Sequence, residues 1–280
     1  MENNQEISLT NCLNCGSALE GQFCNSCGQK TRDNNDRSIG PLLGDFLGNL
    51  FFVDSRFLLS TRYLLVLPGR MTVEFLEGKR KKFISPITLF LFFNLIYFIV
   101  SPLTDYSLSL EDQFYSQPYS AWIQDSVVDK IENGGFKDNT YGSIYQQMSD
   151  TISKSIMILN VPLMALLVFL MAFKRRRFYF DSLIFSLHFF SLIIFCPIIM
   201  RWVDFLIDCL PDAIVSSIPD ITFELFCYVI PSIYAILSIK KFMNIKWYWS
   251  IPAGLWVVAS VVFSNLIYRF IILWLTLWLT

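Results

Sequence analysis

Histidine is nearly missing from this sequence: His188 is the only one in 280 residues. Hydrolytic schemes that set a histidine base beside a nucleophile have almost nothing to work with. A glycine-rich phosphate loop, an HExxH pair and a GxSxG turn with a usable histidine are missing too. Charge is also scarce. Charged residues make up 16% of the chain, against about 25% in an ordinary soluble domain. There is no polybasic tail, so a nucleic-acid partner is not expected. Met1 to Thr10 is polar and lacks the apolar core of a signal peptide, so the first membrane segment is expected to serve as its own targeting signal. These absences point away from an enzyme.

What the chain does have is apolar residues, 54% of the total, bunched into runs. A helix needs about 20 such residues to cross roughly 30 Å of hydrocarbon. Five stretches qualify as expected spans: about 84–103, 155–173, 183–200, 221–239 and 250–268. The expected fold is an all-α polytopic membrane protein with its membrane domain over 83–280. The tail 269–280 either extends the last span or lies along the surface.

Charge patterning orients the spans. The basic clusters are Lys79–Lys82, Lys174–Arg177, and Lys240, Lys241 and Lys246. Segment 104–154 holds eight acids against three lysines, and 201–220 holds four aspartates and one arginine. A cytoplasmic N-terminus puts all three clusters on the cytoplasmic side, as the positive-inside rule requires. The C-terminus and a small helical cap over 104–154 are then expected outside.

Seven cysteines fall into two groups. Cys196, Cys209 and Cys227 are scattered through the membrane half and read as small buried apolar residues. Cys12, Cys15, Cys24 and Cys27 form two Cys-x-x-Cys-Gly knuckles. Gly16 and Gly28 follow the second cysteine of each pair, where a positive φ is easiest without a Cβ. Four thiolates at this spacing close a tetrahedral zinc site of the ribbon kind with no open position, hence structural. Two disulfides or a redox pair are the competing readings. The basic cluster at Lys79 argues for a reducing compartment, and a lone CxxC on a thioredoxin-like fold is absent. So short a segment cannot bury a useful core, so the metal must supply its folding energy, about 10–16 kcal/mol in comparable peptides. Residues 1–30 are therefore expected to be a cytosolic zinc ribbon, with 31–40 a polar linker.

Residues 41–82 read as short amphipathic helices beside the membrane. Leu42, Leu43, Phe46, Leu47, Leu50 and Phe51 recur at helical spacing. A second helix runs on from Asp54 and is broken at Pro68-Gly69, and a third, Met71 to Leu76, ends at Gly78. Arg56, Arg62 and Arg70 interrupt these pieces, as arginines do when interfacial helices snorkel. With Lys79, Arg80, Lys81 and Lys82 they form a candidate platform for an anionic headgroup or a protein partner.

Two blocks resemble the bacterial domain-of-unknown-function family 3667. One is Cys12-Leu-Asn-Cys-Gly with Gly21-Gln-Phe-Cys-Asn-Ser-Cys-Gly-Gln29. The other is Asp54-Ser-Arg-Phe-Leu, Leu67-Pro-Gly-Arg70, Glu74-Phe-Leu-Glu-Gly-Lys-Arg80 and Pro86. The resemblance covers about residues 12–100. It implies a zinc ribbon ahead of a membrane domain and supplies no activity; the expected location is a bacterial inner membrane.

Polar groups inside spans are functional candidates because they are costly there. They are Asn94, Asn160, His188, Glu224 and Asn265. Among so many Phe and Leu they read first as interhelical packing groups. The resulting expectation is a non-enzymatic scaffold, anchor or sensor whose ribbon and juxtamembrane platform bind a protein partner. The alternative is a small transporter or lipid-handling protein that uses the intramembrane polar residues, and a membrane enzyme comes third.

Overall fold

The computed structural model describes residues 11–30, 55–100, 110–121, 124, 128, 140–173, 178–208 and 228–279. The expected linker, the first amphipathic piece, Asp54 and Glu224 lie outside them. Helix is the regular structure among the described residues; the only extended pairings are the isolated bridges Asn11–Ala18 and Phe23–Lys30. The helices are α1 (Ser55–Val66), α2 (Arg70–Leu76), α3 (Pro86–Val100), α4 (Leu110–Tyr115), α5 (Thr140–Ile156), α6 (Asn160–Ala172), α7 (Tyr179–Asp208), α8 (Ile230–Met243) and α9 (Trp247–Leu279). The chain divides into two compact units, one of residues 1–97 with 165–258 and one of 98–164 with 259–280.

In the first unit the shortest helix is the hub. α2 packs against α1, α7 and α8. Met71, Thr72, Glu74 and Phe75 are all buried on it. Its ends are set by glycines. Gly69 precedes it at φ +72, and a Cβ there would stand 2.6 Å from the Ser238 carbonyl oxygen of α8. At the other end Lys79 N donates to Glu74 O and Gly78 N to Phe75 O, with Gly78 at φ +98. This is the Schellman stop, which needs a left-handed residue after the helix. The surface-lying juxtamembrane helix expected here is thus a packed centre. Its arginine is on the rim and its apolar residues face three neighbours.

α8 and α9 form a helical hairpin. Asn244 at φ +49 ends α8, with Ile245 N bonded to Lys240 O and Asn244 N to Lys241 O. Gly254 of α9 lets the backbone of α8 approach at Ile236. Trp247, Tyr248 and Trp249 follow at 53%, 60% and 59% exposure. Lys240 stands 5.2 Å from the Trp247 ring and Lys246 6.0 Å from that of Tyr248. Exposed aromatics beside lysines are the composition of a membrane–water boundary.

The second unit is built on tyrosines. Tyr119, Tyr141 and Tyr145 pack with Leu273 and Leu277, flanked by Leu110 and Phe270. Tyr119 Oη donates to Gln113 Oε1 at 2.5 Å, and Tyr268 Oη donates to the Ser153 carbonyl. Both of these phenols give the hydroxyl a partner, as burial favours.

Among the described residues, two helices are long and apolar enough to cross a membrane, within Tyr179–Ile199 and Trp247–Leu279, and the pair Tyr141–Ser153 and Met157–Ala172, bent by 58°, makes a third if it is one span. α7 contains the expected span 183–200. α9 is 33 residues, about 50 Å at 1.5 Å per residue, so the tail beyond 268 continues the last helix. α3 is apolar apart from Thr88 and Asn94, but its 15 residues reach only about 22 Å, short of a crossing by themselves. The expected span 221–239 is described only from 228, and α8 carries it on to Met243.

Candidate metal centre and basic turn

Each knuckle is closed by the same pair of backbone bonds. Gly16 N donates to Cys12 O at 2.8 Å and Cys12 N to Ser17 O at 2.8 Å. Twelve positions on, Gly28 N donates to Cys24 O at 2.8 Å and Cys24 N to Gln29 O at 2.9 Å. Gly16 and Gly28 have φ of +79 and +68, the left-handed turn that a side chain resists. Folded this way, Cys12, Cys15, Cys24 and Cys27 bring their sulfurs within 4.8 Å of one another. Cys12 Sγ is 3.6 Å from Cys27 Sγ, and Cys15 Sγ is 3.5 Å from Cys24 Sγ. All four thiols are free. Sulfurs joined in a disulfide stand about 2.05 Å apart, so this is a four-sulfur cluster able to hold a metal ion. Hydrogen bonding to Ser17 brings the Cys15 thiol down to about 6, and burial pushes that of Cys27 up to about 11.

The basic residues do not form one outward-facing patch. Glu74, buried on α2, takes Arg70 Nε at 2.8 Å and Lys82 Nζ at 2.6 Å. Lys82 Nζ also donates to Tyr63 Oη at 2.9 Å and lies 4.5 Å from that ring. Arg80 lies 5.7 Å from the Phe75 ring, and Lys79 pairs with Glu77 at 3.6 Å. Lys81 and Arg62 are exposed, and Arg56 is half-buried. Two of the seven cations proposed for a headgroup are therefore turned onto Glu74, a residue that sequence reading quoted only within a motif. Its signal was the Arg70–Glu74 spacing of four, which pairs side chains on a helix.

Burial acts to raise the Glu74 carboxyl, but the hydrogen bonds from Lys82 and Arg70 outweigh it and hold the group below the ordinary glutamate range. A carboxyl that titrates lower folded than unfolded stabilises fully above its unfolded value and loses that contribution as pH falls through the folded one. The thermal midpoint in detergent should thus stay flat down to about pH 5 and decline below about pH 4. Glu74→Gln should cost about 1–2 kcal/mol near neutrality, discounted because Lys82 is 30% exposed. The variant's midpoint should then lack this acid limb, and an identical limb in both proteins would rule out Glu74 as its source.

The described intramembrane candidates are divided between the two units. His188 and Asn94 belong to the first unit, Asn160 and Asn265 to the second. His188 is buried on α7 with Nδ1 2.9 Å from Thr72 Oγ1 of α2, and Phe75 packs edge-on to its ring at 6.4 Å. Asn160 is buried, its Nδ2 3.4 Å from the Met157 carbonyl. Asn94 and Asn265 are half-buried. The bond from Thr72 to His188 joins α2 to α7.

No curated protein and no solved structure is significantly similar to this chain. Residues 54–98, the segment that carries Arg70, Glu74, Lys82 and most of α3 but not the cysteine knuckles, match the family described as "Protein of unknown function (DUF3667)", the family that the two sequence blocks resemble.

Proposed function

We propose that this is an integral inner-membrane protein of five spans, N-terminus in the cytoplasm and C-terminus outside, whose zinc-loaded ribbon and juxtamembrane turn bind a protein partner as a scaffold, anchor or sensor, without catalysis. The observation that carries the reading is the way the ribbon is mounted. It is hydrogen-bonded to the basic turn before α3 and presents Phe23 outward at 56% exposure. Zinc suits the cluster, because sulfurs about 2.3 Å from a central zinc stand about 3.8 Å apart, close to the 3.5 and 3.6 Å separations here. The arrangement leaves an exposed aromatic on a small rigid mount, the sort of group that anchors interfaces. The three basic clusters and the Trp247–Trp249 boundary support the orientation.

A photocrosslinking residue at position 23 of the full-length protein in its own membranes tests the binding role. One discrete protein adduct is expected, absent when Cys24 and Cys27 are serine. Only lipid or no adduct, with metal bound, would count against a protein partner. A reporter fused after Thr280 should read an external location; a cytoplasmic reading would remove the five-span arrangement.

A further inference from the structure

The ribbon grips the turn Gly78–Lys82 with three residues. Gln29 Nε2 donates to the Gly78 carbonyl at 2.8 Å, while its Oε1 accepts from Arg80 N at 3.2 Å and Lys81 N at 3.1 Å. Asn14 Oδ1 accepts from Lys82 N at 3.0 Å. Leu13 covers Gly78 so closely that a Cβ there would stand 2.6 Å from Leu13 Cδ1. Each gripping residue is set by a knuckle. Leu13 and Asn14 are the two residues between Cys12 and Cys15. Gln29 closes the second knuckle, since its carbonyl accepts from Cys24 N. The turn passes the grip on: Lys82, held through its backbone by Asn14, places its ammonium on Glu74 of α2 and Tyr63 of α1.

We propose that the metal held by the four cysteines fastens this clasp, so that metal occupancy of the ribbon sets the conformation of the basic turn at the head of α3. Within residues 11–30 the buried apolar side chains are Cys12 and Cys24 themselves. The only core of the ribbon is thus the metal cluster, and without it nothing keeps Asn14 and Gln29 at the spacing that the turn requires. Metal loss frees the Lys81 and Lys82 amides from their side-chain acceptors. Linkage makes the coupling reciprocal: docking on the turn raises metal affinity by the factor by which metal favours docking. This inference rests on the metal-cluster reading and not on a partner.

The test is amide hydrogen exchange on the full-length protein in detergent, with the metal content of each sample measured. In the loaded protein the Lys81 and Lys82 amides are expected to be protected. Stripping with a chelator should speed their exchange about 5- to 150-fold, while Val73 and Glu77, whose amides donate to Gly69 O and Val73 O at the two ends of α2 at 3.1 and 2.9 Å, keep their protection. The double variant Asn14→Ala, Gln29→Ala retains all four cysteines. It should show the same faster exchange with metal still bound, and lower zinc affinity by a similar factor in competition with a chelator dye. Unchanged exchange at 81 and 82 after stripping, unaltered affinity in the double variant, or a purified chain that holds no metal would each overturn the clasp. Partner capture plays no part in these measurements, so failure of the partner reading is seen separately.

Discussion

Replacing Cys24 and Cys27 together by serine is expected to take bound zinc from one per chain to none and to unfold residues 11–30, leaving the helices in place. The effect is large because the segment has no other source of folding energy. Its buried apolar side chains are two of the sulfur ligands, and the flanking bridges, Asn11–Ala18 and Phe23–Lys30, are isolated pairs. Structural zinc contributes about 10–16 kcal/mol in comparable peptides near neutral pH, well beyond what a few turn hydrogen bonds at about 1 kcal/mol each can replace. Metal analysis of the purified variant beside the parent, with far-ultraviolet dichroism to confirm the helices, decides the matter. Equal zinc in the two proteins would place the metal elsewhere.

Gly69→Val is expected to be the most damaging single substitution in the helical part. Two independent terms act at this position. The left-handed backbone, φ +72, costs an L-residue about 1–2 kcal/mol. The added Cβ must also displace the backbone of α8, with Ser238 O at 2.6 Å and Ser238 Cα at 2.9 Å. Backbone cannot rotate aside as a side-chain end can, and overpacking of this kind costs about 1–3 kcal/mol. Since α2 also packs on α1 and α7, the displacement would spread to the Thr72–His188 bond and the Glu74 cations. Gly142→Ala is the control: beyond its own stretch of helix nothing lies within 4 Å of its Cβ position, and removing a helical glycine in α5 should stabilise by about 0.5–1 kcal/mol. Unfolding midpoints of the two variants in the same detergent should move in opposite directions. A neutral Gly69→Val would mean that α2 and α8 are not in the contact described.

His188 shows why the intramembrane polar residues were ambiguous as a set. In the sequence it is a lone imidazole in an apolar run, which reads first as a packed, hydrogen-bonded residue but names no partner and leaves a conduction path open. Its partner Thr72 lies 116 positions away, on a helix whose own sequence shows nothing polar that needs a histidine. Gln29 and Asn14 were hidden in the same way. They look like spacers of the cysteine knuckles, and their acceptor and donor groups on the basic turn lie 49 to 68 positions on.

Local physics was legible throughout. The cysteine spacing and the two glycines specified both knuckles, because a tight turn with a left-handed residue is decided within six positions. Pro68-Gly69 and Gly78 marked the ends of α2, and apolar runs marked α6, α7 and α9 as helices suited to hydrocarbon, because backbone groups in such runs must bond within the helix. Tertiary structure alone decided that α2 is a hub and not a surface helix, that Glu74 gathers Arg70 and Lys82, that the ribbon closes on the turn beside it, and that residues 269–279 continue α9 and pack on the tyrosines of the second unit. Each of these depends on which distant groups meet. Periodicity and spacing constrain a residue's own turn or helix face, whereas a buried charge or amide takes its partner from whatever the packing brings within about 3 Å.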